Sequence, residues 1–151
     1  KKEFMLAAIQ AAKDSAKHDE YAIGAVVVKD NKIISIGEVR RKRDQDPIAH
    51  AEIVAIKNAC KALNSRSLKD CIIYSTQECC PMCTSAIIWA KMKGIVFGAF
   101  SADAKSRATE KFSWRQIDIP CKEILSKSSP KLELIEGFMR DESLQITNTS
   151  Q

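Results

Sequence analysis

Cys71-Ile72-Ile73-Tyr74-Ser75-Thr76, then Pro81 to about Met92, then Gly94-Ile95-Val96-Phe97-Gly98-Ala99: the reading of this stretch decides the fold. Its two ends are short apolar runs of strand length, rich in β-branched and aromatic residues. Between them Ala86, Ile87, Trp89 and Ala90 ride on a helix that opens at Pro81 and closes before Gly94. A strand, a helix and a strand within so few residues predict a parallel pair joined by a right-handed crossover.

The junction between the first strand and the helix reads Cys80-Pro81-Met82-Cys83. If Cys80 caps the helix and Pro81 takes its first position, where a missing N–H costs nothing, both thiols project from the first turn. Thiolates there gain from the helix dipole. Upstream by 80 − 50 = 30 positions, His50-Ala51-Glu52 opens another helix, Ala51 to Leu63, with Ile53, Ile56, Ala59 and Cys60 on its expected buried side. Pro47 keeps the chain before it extended.

One imidazole and two thiolates are good ligands for zinc, and three protein ligands leave the fourth tetrahedral position to water. Such a metal lowers the pKa of its water from ~15.7 toward ~7. A hard carboxylate beside two thiolates serves better as a proton carrier than as another ligand, which is the expected role of Glu52. Residues i and i+2 do not share a helix face, so His50 and Glu52 converge only if His50 sits at the irregular helix entrance. Both helices should start at one edge of the sheet, where open α/β folds hold their ligands.

Working outward, apolar residues at Phe4, Ala8, Ala11 and Ala12, with Met5, Ile9 and Ala16 alongside, predict an amphipathic helix from Phe4 to about Lys17. Tyr21 to Lys29 and Ile33 to Glu38, split by Asp30-Asn31, predict an antiparallel hairpin. Arg40-Arg41-Lys42-Arg43 then forms a basic run beside the expected mouth of the site. It either meets a phosphate or an RNA backbone, or is a solvated loop neutralised by Asp44 and Asp46. Past Phe100 the expectations are a loop or short helix over Ser101 to Trp114 and a short helix over Cys121 to Lys127. A last strand over Lys131 to Ile135, a terminal helix over Met139 to Ile146 and a frayed tail from Thr147 complete the chain.

At 151 residues, with 45% hydrophobic and 28% charged positions, the sequence fits one globular domain over 1–151. No apolar run approaches the ~20 residues of a membrane span, and Lys1 to Met5 lack a signal-peptide core, so a cytoplasmic location is expected. Six cysteines do not imply a disulfide framework in a chain this apolar: Cys60, Cys71 and Cys121 read as reduced core residues. A net charge of +5 permits an anionic partner without requiring one.

Cys-x-x-Cys alone is more often a structural zinc knuckle or a redox pair; the His-x-Glu before it changes the reading. Asp46-Pro47-Ile48-Ala49-His50-Ala51-Glu52-Ile53 and Glu78-Cys79-Cys80-Pro81-Met82-Cys83 resemble the purine-acting branch of the cytidine deaminase-like superfamily. That branch holds guanine deaminases and tRNA adenosine deaminases. Gly24 to Val28 and Ile95 to Ala99 have counterparts there too, so the likeness spans roughly residues 1 to 145.

The resemblance implies a three-layer α/β/α sandwich around a mixed five-stranded sheet, and a zinc-dependent hydrolase releasing ammonia from a purine-like base or nucleoside. It implies Zn²⁺ on His50, Cys80 and Cys83, acid–base catalysis by Glu52, a substrate contact from the Ala51 backbone N–H, and a homodimer or higher oligomer, with Trp89 and Met92 as candidate contacts. Two departures stand out. Cys79 replaces the Pro usual before the first Cys and is expected to be packing or a spare thiol. Val39 stands eleven positions before His50, where relatives carry a base-holding Asn. A short, nearly neutral Met139-to-Gln145 stretch, and Ala102-Asp103-Ala104 with Ile117 to Leu125, resemble small-molecule deaminases more than RNA editors. Editing of tRNA adenosine and a catalytically silent zinc-stabilised binding module are the alternatives. Phe100, Phe112 and Trp114 are candidates to stack on a ring, with ordinary packing the safer expectation for each.

Overall fold

A computed structural model of the chain describes residues 1–105 and 116–149. Along it run α1 (Lys2–Lys17), β1 (Gly24–Lys29), β2 (Lys32–Glu38), α2 (Ala51–Leu63), β3 (Ile72–Gln77), α3 (Pro81–Trp89) and β4 (Gly94–Ala99). They are followed by α4 (Ser101–Lys105), α5 (Cys121–Ser126), β5 (Glu133–Ile135) and α6 (Arg140–Thr149). Five strands make one sheet in the order β2-β1-β3-β4-β5. β1 is antiparallel to both β2 and β3, whereas β3, β4 and β5 run parallel, so the sheet is mixed as expected.

Alternation along the strands builds two cores, because successive side chains leave opposite faces. Ala25, Val27, Ile73, Ile95 and Phe97 pack with Ala55 and Ala59 of α2, Ile87 of α3 and Leu125 of α5. Val26, Val28, Tyr74 and Val96 meet Phe4, Met5, Ala8 and Ile9 of α1 and Ile146 of α6. Helices on both faces of the sheet give the three layers.

The hairpin turns at Asp30-Asn31, both with positive φ (50° and 64°), the geometry that matches the twist of paired strands. At Gly37 a Cβ would collide with the backbone of Ala51 and Ala55, so α2 lies almost directly on β2. That close approach shifts the most deeply buried face of α2 toward its alanines, with Ala59 as expected and Ile53, Ile56 and Cys60 packed against the same core. The buried residues of α2 are Ala51, Glu52, Ala55 and Ala59, while Ile53, Ile56 and Cys60 are only half-buried along its flanks.

Other boundaries differ from expectation too: α1 begins at Lys2 rather than Phe4, β1 at Gly24 rather than Tyr21, and β5 at Glu133 rather than Lys131. α3 stops at Trp89 rather than near Met92, because Lys91 turns into the left-handed region (φ 62°) and the chain must bring Gly94 opposite Ile72 in the parallel register. α6 continues to Thr149, so the expected frayed tail begins in helix; Ile146, buried against the sheet, anchors its last turns. Of the Ser101-to-Trp114 segment, α4 covers the first five residues, and Phe112 and Trp114 lie outside the described residues. All six cysteines are free, with Cys71 and Cys121 buried and Cys60 half-buried. Among the described residues no helix is long and apolar enough to cross a membrane.

Candidate metal centre

With β1 between them, β2 and β3 point the same way, so the segments leaving their C-terminal ends emerge at one edge of the sheet. α2 follows β2 and α3 follows β3. His50 is the N-cap of α2, in extended conformation (φ −67°, ψ 156°), and Cys80 is the N-cap of α3 (φ −65°, ψ 166°) with Pro81 next. The irregular entrance required to bring His50 and Glu52 to one place is therefore present.

His50 Nδ1 lies 3.6 Å from Cys80 Sγ and 3.6 Å from Cys83 Sγ. Donors bonded tetrahedrally to zinc at the usual Zn–N and Zn–S lengths stand about 3.6 Å apart, so imidazole and thiols already have the spacing of a common ligand sphere. Each of the three offers one donor within 4.8 Å of the others, and among the described residues no fourth His, Cys, Asp or Glu joins the group. The donor set fits zinc, with a corner left for water.

The local charges follow from this crowding. A hydrogen bond from the Cys83 thiol, aided by His50 and the Cys83 backbone N–H, holds the Cys80 thiol down at about 4 against the effect of burial. Cys83 is driven the other way, since it keeps the proton it shares with Cys80. A divalent cation held by His50, Cys80 and Cys83 would take the place of that proton, because a coordinated thiol is deprotonated outright. Hydrogen bonding to Cys80 raises the His50 pKa, with burial and the charge of Arg41 opposing. Burial first, then the Cys80 thiolate, pushes the Glu52 carboxyl up to about 7, with His50 pulling it back in part.

Cys79 stands apart from the donor cluster. It is 1% exposed, packs in the main core and shares a hydrogen bond with the Glu52 side chain. Ala51 is fully buried at the first turn of α2, where no side chain caps the helix and the first N–H groups lack intrahelical acceptors. Val39 is 2% exposed in the same core. Phe100 is a packing residue, edge-on to Phe97 at 5.1 Å with the Arg140 guanidinium 5.7 Å from its ring centroid.

The basic run takes mostly the bland role. Arg40 makes a two-point contact with Asp44 at 2.9 and 3.0 Å, Lys42 Nζ reaches Asp19 at 2.9 Å, and Arg43 donates to Glu38 at 3.0 Å and to Val39 O at 2.8 Å. Asp46, the second expected neutraliser, instead closes a turn by accepting from the Ile48 N–H. Two buried carboxylates escaped the sequence reading. Glu20 accepts from the backbone N–H of Lys42 and Arg43, and Glu78 from those of Ser101 and Cys121. Neither lies in a motif whose spacing names its partner.

Comparison with known proteins adds the family. Residues 1–99 match the family model described as the cytidine and deoxycytidylate deaminase zinc-binding region. A guanine deaminase of Bacillus subtilis (strain 168) is 44% identical over 101 residues, 66% of this chain and 65% of that protein. A tRNA-specific adenosine deaminase of the same organism is 41% identical over 97 residues, 64% of this chain and 60% of its own length. The chain thus spans less than two thirds of these curated relatives. A structure solved in a study of A-to-I editing by tRNA:A34 deaminases superimposes with a TM-score of 0.76 at 30% identity, covering 97% of this chain and 99% of that one. A family match over residues 1–99, two thirds of the chain and the part that holds all three clustered donors, makes this chain a member of the cytidine and deoxycytidylate deaminase zinc-binding family.

Proposed function

We propose that this chain is a zinc-dependent hydrolytic deaminase that converts an exocyclic amine of a purine-like base or nucleoside to a carbonyl and releases ammonia. The observation that carries the reading is the three-donor cluster of His50, Cys80 and Cys83 with the buried Glu52 carboxylate beside it. His50, Cys80 and Cys83 would hold zinc, which would serve as a Lewis acid and make hydroxide available near neutral pH. Glu52 accepts the proton of the attacking water, delivers it to the ring nitrogen, and then moves a proton to the amine so that it leaves as ammonia. A carboxyl whose affinity for protons is raised toward neutrality is suited to both directions of transfer. The Ala51 N–H, at the uncapped start of α2, is the donor for a substrate carbonyl. A silent binding module has no use for a buried carboxylate at this point, since its burial is costly.

Editing of adenosine in tRNA is the second reading, favoured by the 30% identity and full-length superposition on the tRNA:A34 deaminase structure. Against it, α6 opens Arg140-Asp141-Glu142 and offers no basic face. A homodimer accompanies the first reading; Trp89, 84% exposed on α3, is its candidate contact, whereas Met92, expected beside it, lies past the end of α3 and is buried in the main core.

Ammonia release from free bases, nucleosides and tRNA tests both readings. The zinc-loaded protein should turn over at least one of them. Glu52→Gln should keep its zinc and fold while turnover falls by about 10²-fold or more. Near-wild-type activity in that variant would remove Glu52 from its role.

A further inference from the structure

Among the four cations of the 40–43 run, Arg41 differs from its neighbours. Arg40, Lys42 and Arg43 each have an acidic partner, whereas no acidic partner of Arg41 occurs among the described residues. Its guanidinium lies over the Tyr21 ring, 5.2 Å from the centroid, and its Nε, like that of Arg43, is buried with no hydrogen-bond acceptor.

The backbone beneath it is fixed. Arg41 O accepts from Asp46 N at 3.0 Å, Arg40 N donates to Ala49 O at 3.0 Å, and Lys42 N is held by both oxygens of Glu20 at 3.1 Å. The side chain therefore starts from a set point next to the segment that leads into His50.

A half-buried, ring-stacked guanidinium with an unmet donor is an incomplete arrangement, because a buried donor without an acceptor costs about 1–3 kcal/mol. An anion that arrives with the substrate would complete it. Guanidinium is permanently charged and presents a planar fork that matches an oxyanion, and phosphate is the oxyanion that nucleosides carry.

Building on the deaminase reading, we propose that Arg41 binds a phosphate of the substrate, so that the preferred substrate is a phosphorylated purine-like nucleoside, either a free monophosphate or a nucleotide within RNA. Arg41 then sets specificity and takes no part in proton transfer. Among the described residues no acid pairs with it, so its charge is left for the ligand.

The test compares adenosine and guanosine with their 5′-monophosphates and with an anticodon stem-loop RNA, on the zinc-loaded chain and on Arg41→Gln, Arg41→Lys and Arg40→Gln. A hydrogen-bonded charge contact of the usual strength corresponds to a factor of about 10 to 100 in KM or Kd. The phosphorylated forms should be preferred by that factor. Arg41→Gln should abolish the preference mainly through KM, Arg41→Lys should restore part of it, and Arg40→Gln should keep it. Whether the monophosphate or the RNA carries the preference identifies the source of the phosphate.

Equal KM for nucleoside and phosphorylated forms, or an undiminished preference in Arg41→Gln, would overturn the proposal. So would loss of zinc from Arg41→Gln with equal losses on both substrates, which would make Arg41 a support of the metal centre. If no compound releases ammonia, the deaminase reading fails first. The phosphate contact is then decided by equilibrium binding of nucleoside and 5′-monophosphate to wild type and Arg41→Gln, where equal affinities overturn it.

Discussion

The two helix entrances that meet at the metal centre are built by opposite means. The entrance of α3 is made by four consecutive residues: Cys80 turns the chain, Pro81 starts the helix, and Cys83 N donates back to Cys80 Sγ at 3.5 Å. The entrance of α2 is made from far away. The loop before His50 is tied to Asp19, Glu20 and Glu38, and Val39 N donates to Ser15 Oγ in α1. One entrance carries its conformation in its own sequence, whereas the other borrows it from residues up to 24 positions away. The sulfur side of the site should therefore be robust to changes elsewhere in the fold, and the imidazole side should not.

The sharpest way to break this contrast is to move the sulfurs by one position. Cys80→Ala should lose stoichiometric zinc, whereas Cys79→Ala should retain it, because the Cys79 thiol faces the core and Glu52 rather than His50. Metal analysis of the two purified variants decides the matter. Zinc kept by the first and lost by the second would reverse the assignment and put the α3 turn in another register.

The same contrast explains what could be read from the sequence. Strand and helix periodicities are local, so the hairpin, the parallel β3–β4 pair and the starts of α2 and α3 were legible, as were the three donors that lie together. Pro81 and the two cysteine positions name their own geometry. On α2 the core side was legible but its deepest positions were not, because Ile53 and Ile56 are more apolar than Ala55 and only the approach to Gly37 reveals that alanines fit there. Glu20 and Glu78 were invisible for a different reason. Each is an ordinary acid in sequence, and its meaning lies in backbone N–H groups 22 and 23 or more residues onward. Arg41 could not be told from Arg40, Lys42 and Arg43, since what separates them is which of them pairs with an acid among the described residues.

Removing a distant support of the imidazole side comes next in size. Glu20→Ala deletes a carboxylate that accepts from Lys42 N and Arg43 N and stands 3.6 Å from Arg43 Nε. Its side chain is 1% exposed, so two backbone donors would lose their acceptor, and the Arg43 guanidinium one of its two counter-charges, inside the protein. Hydrogen bonds to a charged group contribute about 1.5–3 kcal/mol. Denaturant unfolding should show a loss of about 2–3 kcal/mol, with weaker zinc binding because His50 is less well held. Unchanged stability would mean that the loop before α2 supports itself and that the two entrances are alike.

The smallest effect belongs to the self-contained entrance. Pro81→Ala keeps the Cys80 cap and both thiols and removes only a residue whose φ is preset for the first helical position. Proline at such a site acts mainly by restricting the unfolded chain, worth about 0.4–1 kcal/mol. For a chain of this size that is a fall in Tm of about 1–4 °C. Zinc stoichiometry should not change, since the Cys83 N–H still reaches the Cys80 sulfur and the ligands keep their turn. Thermal unfolding and metal content measured on one preparation separate the two quantities. A loss of zinc with only this small drop in Tm would mean that Pro81, rather than the thiol cap, holds the sulfur pair in place.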